Sequence, residues 1–443
     1  MKYFGTDGIR QKADAFTPEF LSFIVKGLVN YGGDKIKVFI AGDNRESSEW
    51  ILSDISTALE TLGTEYFNAG ILPTPAINYC FYQMGFDFAI DVTASHNPHT
   101  DNGIKIFERG KTSGVKLCEE GCQSIEDAII KAQVFPLVAT SLTDDLHQQA
   151  LELYRQHLLD YVGQTNFNNL KIGMDCANGA TSVINKTVFE ELGANITLIN
   201  CNENYNTKIN DNCGSTHTEM LQELVKNDKL DFGVAYDGDG DRCLLVDNTG
   251  TIIDGDDVLA ILADYYRLPA IATTVMANQG LINWAKDHNI KTEITAVGDA
   301  NVKAAMDQNS ISLGGEQSGH IILPNESTGD GMLTALVMTK VVTDTKKSLH
   351  ELANAMQKSP QVIVNLTASP EMKTNLKESK KAKETLLEYN QKLDKIHGRL
   401  LVRPSGTENL IRIAMWGDDE KTITTLADEL KTKLEEILWL SKN

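Results

Sequence analysis

The sequence predicts an α/β protein, with three similar α/β domains carrying mainly parallel mixed sheets and a smaller C-terminal α+β domain. Three observations predict it. The 443 residues are about three times a usual domain length, so several cores are expected. One plan recurs three times: an apolar strand, a turn of small residues, an amphipathic helix and a second strand. Units of this kind build parallel sheets covered by helices. The tail abandons the plan.

The first unit reads as a strand at 37–43, a helix through Trp50 to Leu62 and a strand at 64–70. The second is a strand at 170–175, a helix at 182–192 and a strand at 194–199. The third is a strand at 272–277, a helix at 281–287 and a strand at 290–297. In the tail, strands at 360–366, 400–402 and 410–415 alternate with a Lys/Glu-rich helix at 370–390 and a closing amphipathic helix at 421–438. Expected domains are 1–150, 151–250, 251–365 and 366–443. Lys380, Lys381 and Lys383, with Glu378 and Glu384 beside them, read as a solvated helix face.

Sixty-one acidic residues against 41 basic ones give a formal net charge of -20. Such a balance opposes general attraction to nucleic acid or anionic membranes, so neither is expected as a partner, and an anionic substrate would need a local basic pocket. The opening residues lack a basic-then-apolar signal pattern, and no apolar run approaches a membrane span, so a cytoplasmic location is expected. Seven irregularly spaced cysteines predict separate thiols and no disulfide framework. Cys118 and Cys122 could share a metal, but no second ligand pair accompanies them.

Asp237-Gly238-Asp239-Gly240-Asp241-Arg242 lies between two apolar strands. Alternation in an extended segment aims the three carboxylates to one side, and the glycines permit a tight path. Hard oxygen ligands converging in this way suit Mg²⁺, although an acidic turn would share the composition. Ser95, in Thr93-Ala94-Ser95-His96-Asn97-Pro98, follows the apolar run 88–92 and so stands at a strand end, where α/β ligand sites concentrate. A serine needs a base or a metal to act as a nucleophile. His96 is adjacent, and Lys105 follows in Asn102-Gly103-Ile104-Lys105. Alone, the segment could equally be an ordinary polar loop.

Arg403-Pro404-Ser405-Gly406-Thr407-Glu408 has the parts of an anion cradle: a guanidinium fork, two hydroxyls and a glycine that lets backbone amides approach, with Arg412 as a second cation. Glu316-Gln317-Ser318, in the Gly-rich stretch 314–320, is expected in a flexible loop and offers groups that bond sugar hydroxyls or an amine. Arg10, in Phe4-Gly5-Thr6-Asp7-Gly8-Ile9-Arg10, reads either as a surface residue or as part of an anion site.

These segments, in this order, resemble the α-D-phosphohexomutase family, and the match covers essentially the whole chain. The resemblance implies a central cleft among the four domains and isomerase chemistry, an intramolecular phosphoryl transfer. It implies that Ser95 carries the phosphoryl group, with one Mg²⁺ per chain held by Asp237, Asp239, Asp241 and that phosphate. Lys105, His96 and His320 become the proton-transfer and charge-stabilising groups, with Arg10 lining the same cleft. Glu316, Gln317 and Ser318 read the sugar, Arg403, Ser405, Gly406, Thr407 and Arg412 hold the idle phosphate, and Arg242 joins the substrate-binding set.

Gln317 resembles the branch acting on glucosamine phosphates, where other branches commonly carry Met; Asn210 and Cys213-Gly214-Ser215-Thr216-His217 look like the same branch. The implied reaction interconverts glucosamine 6-phosphate and glucosamine 1-phosphate, with glucosamine 1,6-bisphosphate as intermediate and activator, feeding UDP-N-acetylglucosamine and cell-wall synthesis. Action on glucose or mannose phosphates, a phosphosugar hydrolase and a non-catalytic binder are the alternatives. A homodimer is left open. Gln11, Ala300, Asn409 and Trp416 depart from the family pattern.

Overall fold

The computed structural model describes residues 1–5, 7–33, 35–137, 146–202, 204, 206–396, 398–405 and 409–440. The repeat seen in the sequence is a repeat of topology. In the first sheet Lys37–Gly42 runs parallel to both Glu65–Ile71 and Phe88–Val92, and Asp101–Arg109 returns antiparallel beside Phe88–Val92. In the second, Lys171–Asp175 is parallel to Asn195–Ile199 and Phe232–Tyr236, with Cys243–Asp247 antiparallel to the last. In the third, Ala270–Thr274 is parallel to Lys291–Thr295 and Gly314–Gly315, with Ile321–Ile322 antiparallel. Each sheet therefore contains a hairpin between its last parallel strand and the antiparallel return, with the turn at the carboxyl end of the parallel strands, where ligand sites of α/β sheets lie. The Ser95 segment, the Asp237–Asp241 segment and the Glu316 segment are those three turns.

The C-terminal sheet is wholly antiparallel, in the order Gln361–Thr367, Leu410–Trp416, Arg399–Pro404. Its core, from Leu366 to Leu438, is separate from the others. The first three sheets instead share one continuous apolar core running from Phe39 through Ile172 and Phe232 to Leu336. A second core fills the other face of the first sheet. The buried helix Gly331–Thr345 belongs to the shared core, its first turn capped by Asp330, which accepts from Leu333 N at 2.8 Å.

Four details differ from the sequence reading. The expected helix 370–390 is two helices, Pro370–Glu378 and Lys380–Asp394, because the Ser379 hydroxyl caps a new start, accepting from Ala382 N at 3.2 Å. The helix at 182–192 begins as a 3-10 turn at Ala180–Val183 and becomes α-helical only over Asn185–Glu191. The stretch 314–320 is a tight hairpin turn, not a flexible loop: Glu316 N donates to His320 O and Gly319 N to Glu316 O, both at 3.0 Å. Cys176 and Cys201, at the ends of two neighbouring parallel strands, form a disulfide, which corrects the reading of every cysteine as a separate thiol. Cys118 lies 3.0 Å from the Tyr31 hydroxyl, and the single metal-type cluster among the described residues is the Asp237 triad.

Candidate active site

Ser95 is fully buried in a left-handed turn at φ 52°. Its hydroxyl donates to Asp237 Oδ2 at 2.7 Å and lies 3.3 Å from His96 Nδ1. The backbone around it is held by Arg45, whose Nη2 donates to Ser95 O and Asn97 O at 2.7 and 2.9 Å while Nε pairs with Asp43 at 2.9 Å. Asp43 also accepts from Thr93 Oγ1, which in turn accepts from Ser95 N at 2.9 Å. Asp43 and Arg45 were missed in the sequence. The available signal was a polar run, Asp43-Asn44-Arg45, at the carboxyl end of a parallel strand.

Ligand oxygens of Asp237, Asp239 and Asp241 lie within 4.8 Å of one another, all three residues buried. Close approach of the neighbouring loop demands glycine here: a Cβ on Gly179 would fall 2.3 Å from Gly238 O, and one on Gly238 only 2.7 Å from Ser95 O. Burial, with Asp239 and Asp241 alongside, pushes the Asp237 carboxyl well above the usual carboxylate range. Asp239 Oδ1 and Asp241 Oδ1 are buried without a hydrogen-bond partner. Orphaned oxygens on converging carboxylates are what a hard divalent cation would satisfy, so these residues fit Mg²⁺.

Cations surround the acids. Lys105, placed opposite Asp91 by the strand register, sends Nζ to Asp239 at 2.7 Å, Asp241 at 3.0 Å and Asp7 at 3.3 Å. Burial opposes its charge, but those three carboxylates outweigh it and hold the ammonium well above its ordinary pKa. Burial likewise opposes the Asp7 carboxylate, and Lys105, Lys116 and Arg10 outweigh it, holding Asp7 below the usual range. Arg10 pairs with Asp7, and Lys116 bridges Asp7 to Asp299 of the third sheet's domain. The Thr74 hydroxyl lies between Asp91 and Asp239, 2.7 and 2.9 Å from their carboxyl oxygens. Thr74 and Lys116 are further site residues that no local pattern singled out, and Asp7 is another, marked in the sequence only as part of the segment that carries Arg10.

Arg242 donates to His96 Nδ1 at 3.0 Å. Its positive charge, reinforced by burial, pushes the imidazole down to about 3. His96 is therefore neutral, with its near nitrogen already accepting, so the Ser95 proton is directed at Asp237 and not at His96. His320 Nδ1 lies 3.7 Å from Asp241, and its Nε2 accepts from Gly329 N at 3.1 Å. Burial opposes its charge, yet Asp241, Asp299 and Glu316 raise its pKa. Glu316 accepts from Gly298 N at 3.1 Å, and its charge also reaches Arg242.

Not every candidate faces this cluster. Gln317 donates to Gln361 at 2.9 Å and lies 3.3 Å from Asp254, so its amide joins the third sheet's domain to the C-terminal sheet. Ser318 is exposed. Arg403 and Arg412 stand directly opposite each other on neighbouring strands, beside Ser405, whose carbonyl accepts from Lys373 at 2.9 Å. Two guanidinium groups at facing positions are suited to an anion. Lys373 adds a cation that the sequence did not reveal. Gly406 and Thr407 lie outside the described residues. Trp416 is buried under Arg399, its ring centroid 3.9 Å away, and Ala300 is exposed.

Comparison with known proteins gives the family. The phosphoglucomutase/phosphomannomutase sequence models match in order: alpha/beta/alpha domain I over residues 1–134, domain II over 152–250, domain III over 254–359 and the C-terminal domain over 340–433. The chain is 38% identical to the phosphoglucosamine mutase of Caldicellulosiruptor saccharolyticus, covering 98% of this chain and 99% of that protein. It is 38% identical to that of Clostridioides difficile, covering 99% of each. Its fold is similar to the phosphoglucomutase parafusin of Paramecium, with a TM-score of 0.78 at 19% identity over 98% and 95% of the two chains. With every domain matched and relatives aligned from end to end, the chain belongs to the phosphoglucomutase/phosphomannomutase family.

Proposed function

We propose that this isomerase interconverts glucosamine 6-phosphate and glucosamine 1-phosphate in the cytoplasm, with Ser95 as the phosphoryl carrier and glucosamine 1,6-bisphosphate as the intermediate. The observation that carries the reading is the Ser95 hydroxyl, buried and 2.7 Å from Asp237 at the edge of the acid triad. The glucosamine assignment rests on the relatives at 38% identity and on Glu316, whose negative charge suits an ammonium substituent. It does not rest on Gln317, which is engaged with Gln361.

The two sugar oxygens lie too far apart across the ring for direct in-line transfer, so a protein group must carry the phosphoryl between them. In the first half-reaction the sugar 1-hydroxyl attacks phospho-Ser95: a P–O bond to the sugar forms, the bond to Ser95 Oγ breaks, and the hydroxyl proton leaves. His320, beside Asp241, is placed to take that proton, while Lys105 Nζ, held as an ammonium by three carboxylates, stabilises charge and can supply a proton to the departing Ser95 Oγ. After the bisphosphate turns, Ser95 Oγ attacks its 6-phosphate, and the serine proton is directed along the hydrogen bond to Asp237 Oδ2. Arg242 occupies His96 Nδ1 and lowers its pKa to about 3, which leaves the imidazole too weak a base to compete for that proton. Arg403 and Arg412 are suited to the idle phosphate. Asp237, Asp239, Asp241 and the phosphate on Ser95 would hold Mg²⁺, which when bound neutralises charge on the transferring group.

Turnover of glucosamine, glucose and mannose 6-phosphates by the protein and by Ser95→Ala tests the reading. A kcat/KM at least about tenfold higher for glucosamine, and loss of about 10³-fold or more with Ser95→Ala, is expected. Unimpaired Ser95→Ala would remove the serine from the mechanism, and a preference for glucose would reassign the substrate.

A further inference from the structure

Two side chains that touch neither the Ser95 hydroxyl nor the acid triad hold the serine loop from opposite sides. Ser95 O accepts from Arg45 Nη2 at 2.7 Å and from Asn210 Nδ2 at 2.8 Å. Asn97 O accepts from the same two nitrogens, at 2.9 and 3.0 Å. Each carbonyl thus receives one N–H from the first sheet's domain and one from the second's. Arg45 is fully buried and continues to Pro98 O at 2.6 Å and Asp101 O at 3.3 Å. It shapes the loop from within.

Asn210 does something different. It comes from the domain that carries the acid triad, its backbone N donates to Ala177 O at 2.9 Å, and its left-handed φ of 58° suits asparagine. Its amide lies against Gly238: a Cβ there would be 2.8 Å from Asn210 Nδ2 and 2.7 Å from Ser95 O. One amide thereby fixes the carbonyl of the carrier serine against the loop between Asp237 and Asp239. Thr74, Lys105 and His96 also tie the first sheet's domain to the acid loop, but Asn210 is the side chain of the second domain that bonds the carbonyl of the carrier serine itself.

We propose that Asn210 is a positioning residue for phosphoryl transfer, and that with Arg45 it sets the register between the serine loop and the acid loop. The inference rests on the phosphoserine reading above. A displacement of about 1 Å at a reacting atom costs on the order of 10²-fold in rate, whereas binding of a substrate that the residue does not touch is unaffected. Two variants isolate the amide. Asn210→Asp keeps shape and backbone preference but loses both N–H donors, and Asn210→Gly keeps the left-handed backbone but loses the side chain.

The test measures kcat and KM for glucosamine 6-phosphate, the rate at which glucosamine 1,6-bisphosphate phosphorylates the dephosphorylated protein, followed by intact mass, and the melting temperature. Expected for both variants is a fall of about 10- to 100-fold in kcat and in the phosphorylation rate, with KM within about threefold and melting temperature nearly unchanged. Wild-type kcat in either variant overturns the inference, as does a fall in kcat that tracks a fall in melting temperature or a rise in KM. No turnover by the unmodified protein would instead sink the mutase reading itself.

Discussion

Burial opposes the charge of Lys105 and its neighbours favour it. It is buried, and three carboxylates from two domains converge on its ammonium. Replacing one partner of such a buried cluster leaves uncompensated charge. Lys105→Met should therefore lower kcat by about 10²- to 10⁴-fold, through loss of a proton-handling cation. Steady-state kinetics beside a melting curve check it, and a variant with native kcat would contradict the role. Lys105, Ser95 and the three aspartates were legible because each sits in a short pattern whose chemistry can be argued locally. Lys116 and Arg45 were not, because the partners that matter lie far away in sequence: Lys116 matters through Asp299 and Arg45 through Ser95 and Asn97; Asp7 and Asn210 stood out in the sequence as parts of their segments, but their contacts to Lys105 and Ser95 did not. Gln317 shows the converse. The sequence marked it as sugar-reading, but the short hairpin turns its amide to Gln361.

At the scale of elements, the loops of Ser95, Asp237 and Glu316 are the same hairpin turn of one repeated topology, and the close contacts of the first two leave little room. A methyl group on Gly238 would press on Ser95 O and the Asn210 amide. Gly238→Ala should cost about 1–3 kcal/mol of stability and at least about tenfold in kcat. Denaturant melts and kinetics read both, and a silent substitution would show that the loops are not in contact. The helix Gly331–Thr345 brings a pH dependence of its own. Burial pushes its cap, Asp330, from 3.8 up to about 6, while Tyr154 donates to it at 2.9 Å. Between those values the folded chain binds a proton that the unfolded chain has released. This contribution to stability is therefore greatest below about pH 4 and is lost as pH rises through about 6, by up to about 3 kcal/mol. Asp330→Asn should remove that slope from a series of urea melts between pH 4 and 7, and an unchanged slope would contradict the assignment. The repeat itself was legible from strand–helix–strand periodicity. Its sharing of one hairpin position by three functional loops was not, since Gly314–Gly315 and Ile321–Ile322 are too short to announce themselves as strands.

In the whole molecule, three domains share a continuous core while the C-terminal sheet keeps its own. The site is assembled on the shared body, and the opposed arginines are carried on the separate one. That division suits the proposed bisphosphate, which would have to turn without escaping, and Gln317, Gln361 and Asn278, bonded across the junction, mark the place where movement is expected. The acid triad ties the shared body together, since its aspartates meet Ser95, Thr74, Lys105 and His320 from the neighbouring domains. Chelation should abolish turnover, and Mg²⁺ should restore it and raise the melting temperature, as any ligand of the native state alone must. Full activity in excess chelator would remove the metal from the account.

The central claim is that one phosphoryl group travels on Ser95, and intact-mass spectrometry with peptide mapping of the protein during turnover tests it most directly. The account predicts a population bearing one phosphoryl group, mapped to Ser95, which is discharged by glucosamine 6-phosphate and restored by glucosamine 1,6-bisphosphate. Active protein that carries no phosphoryl group, or carries it on another residue, would contradict it.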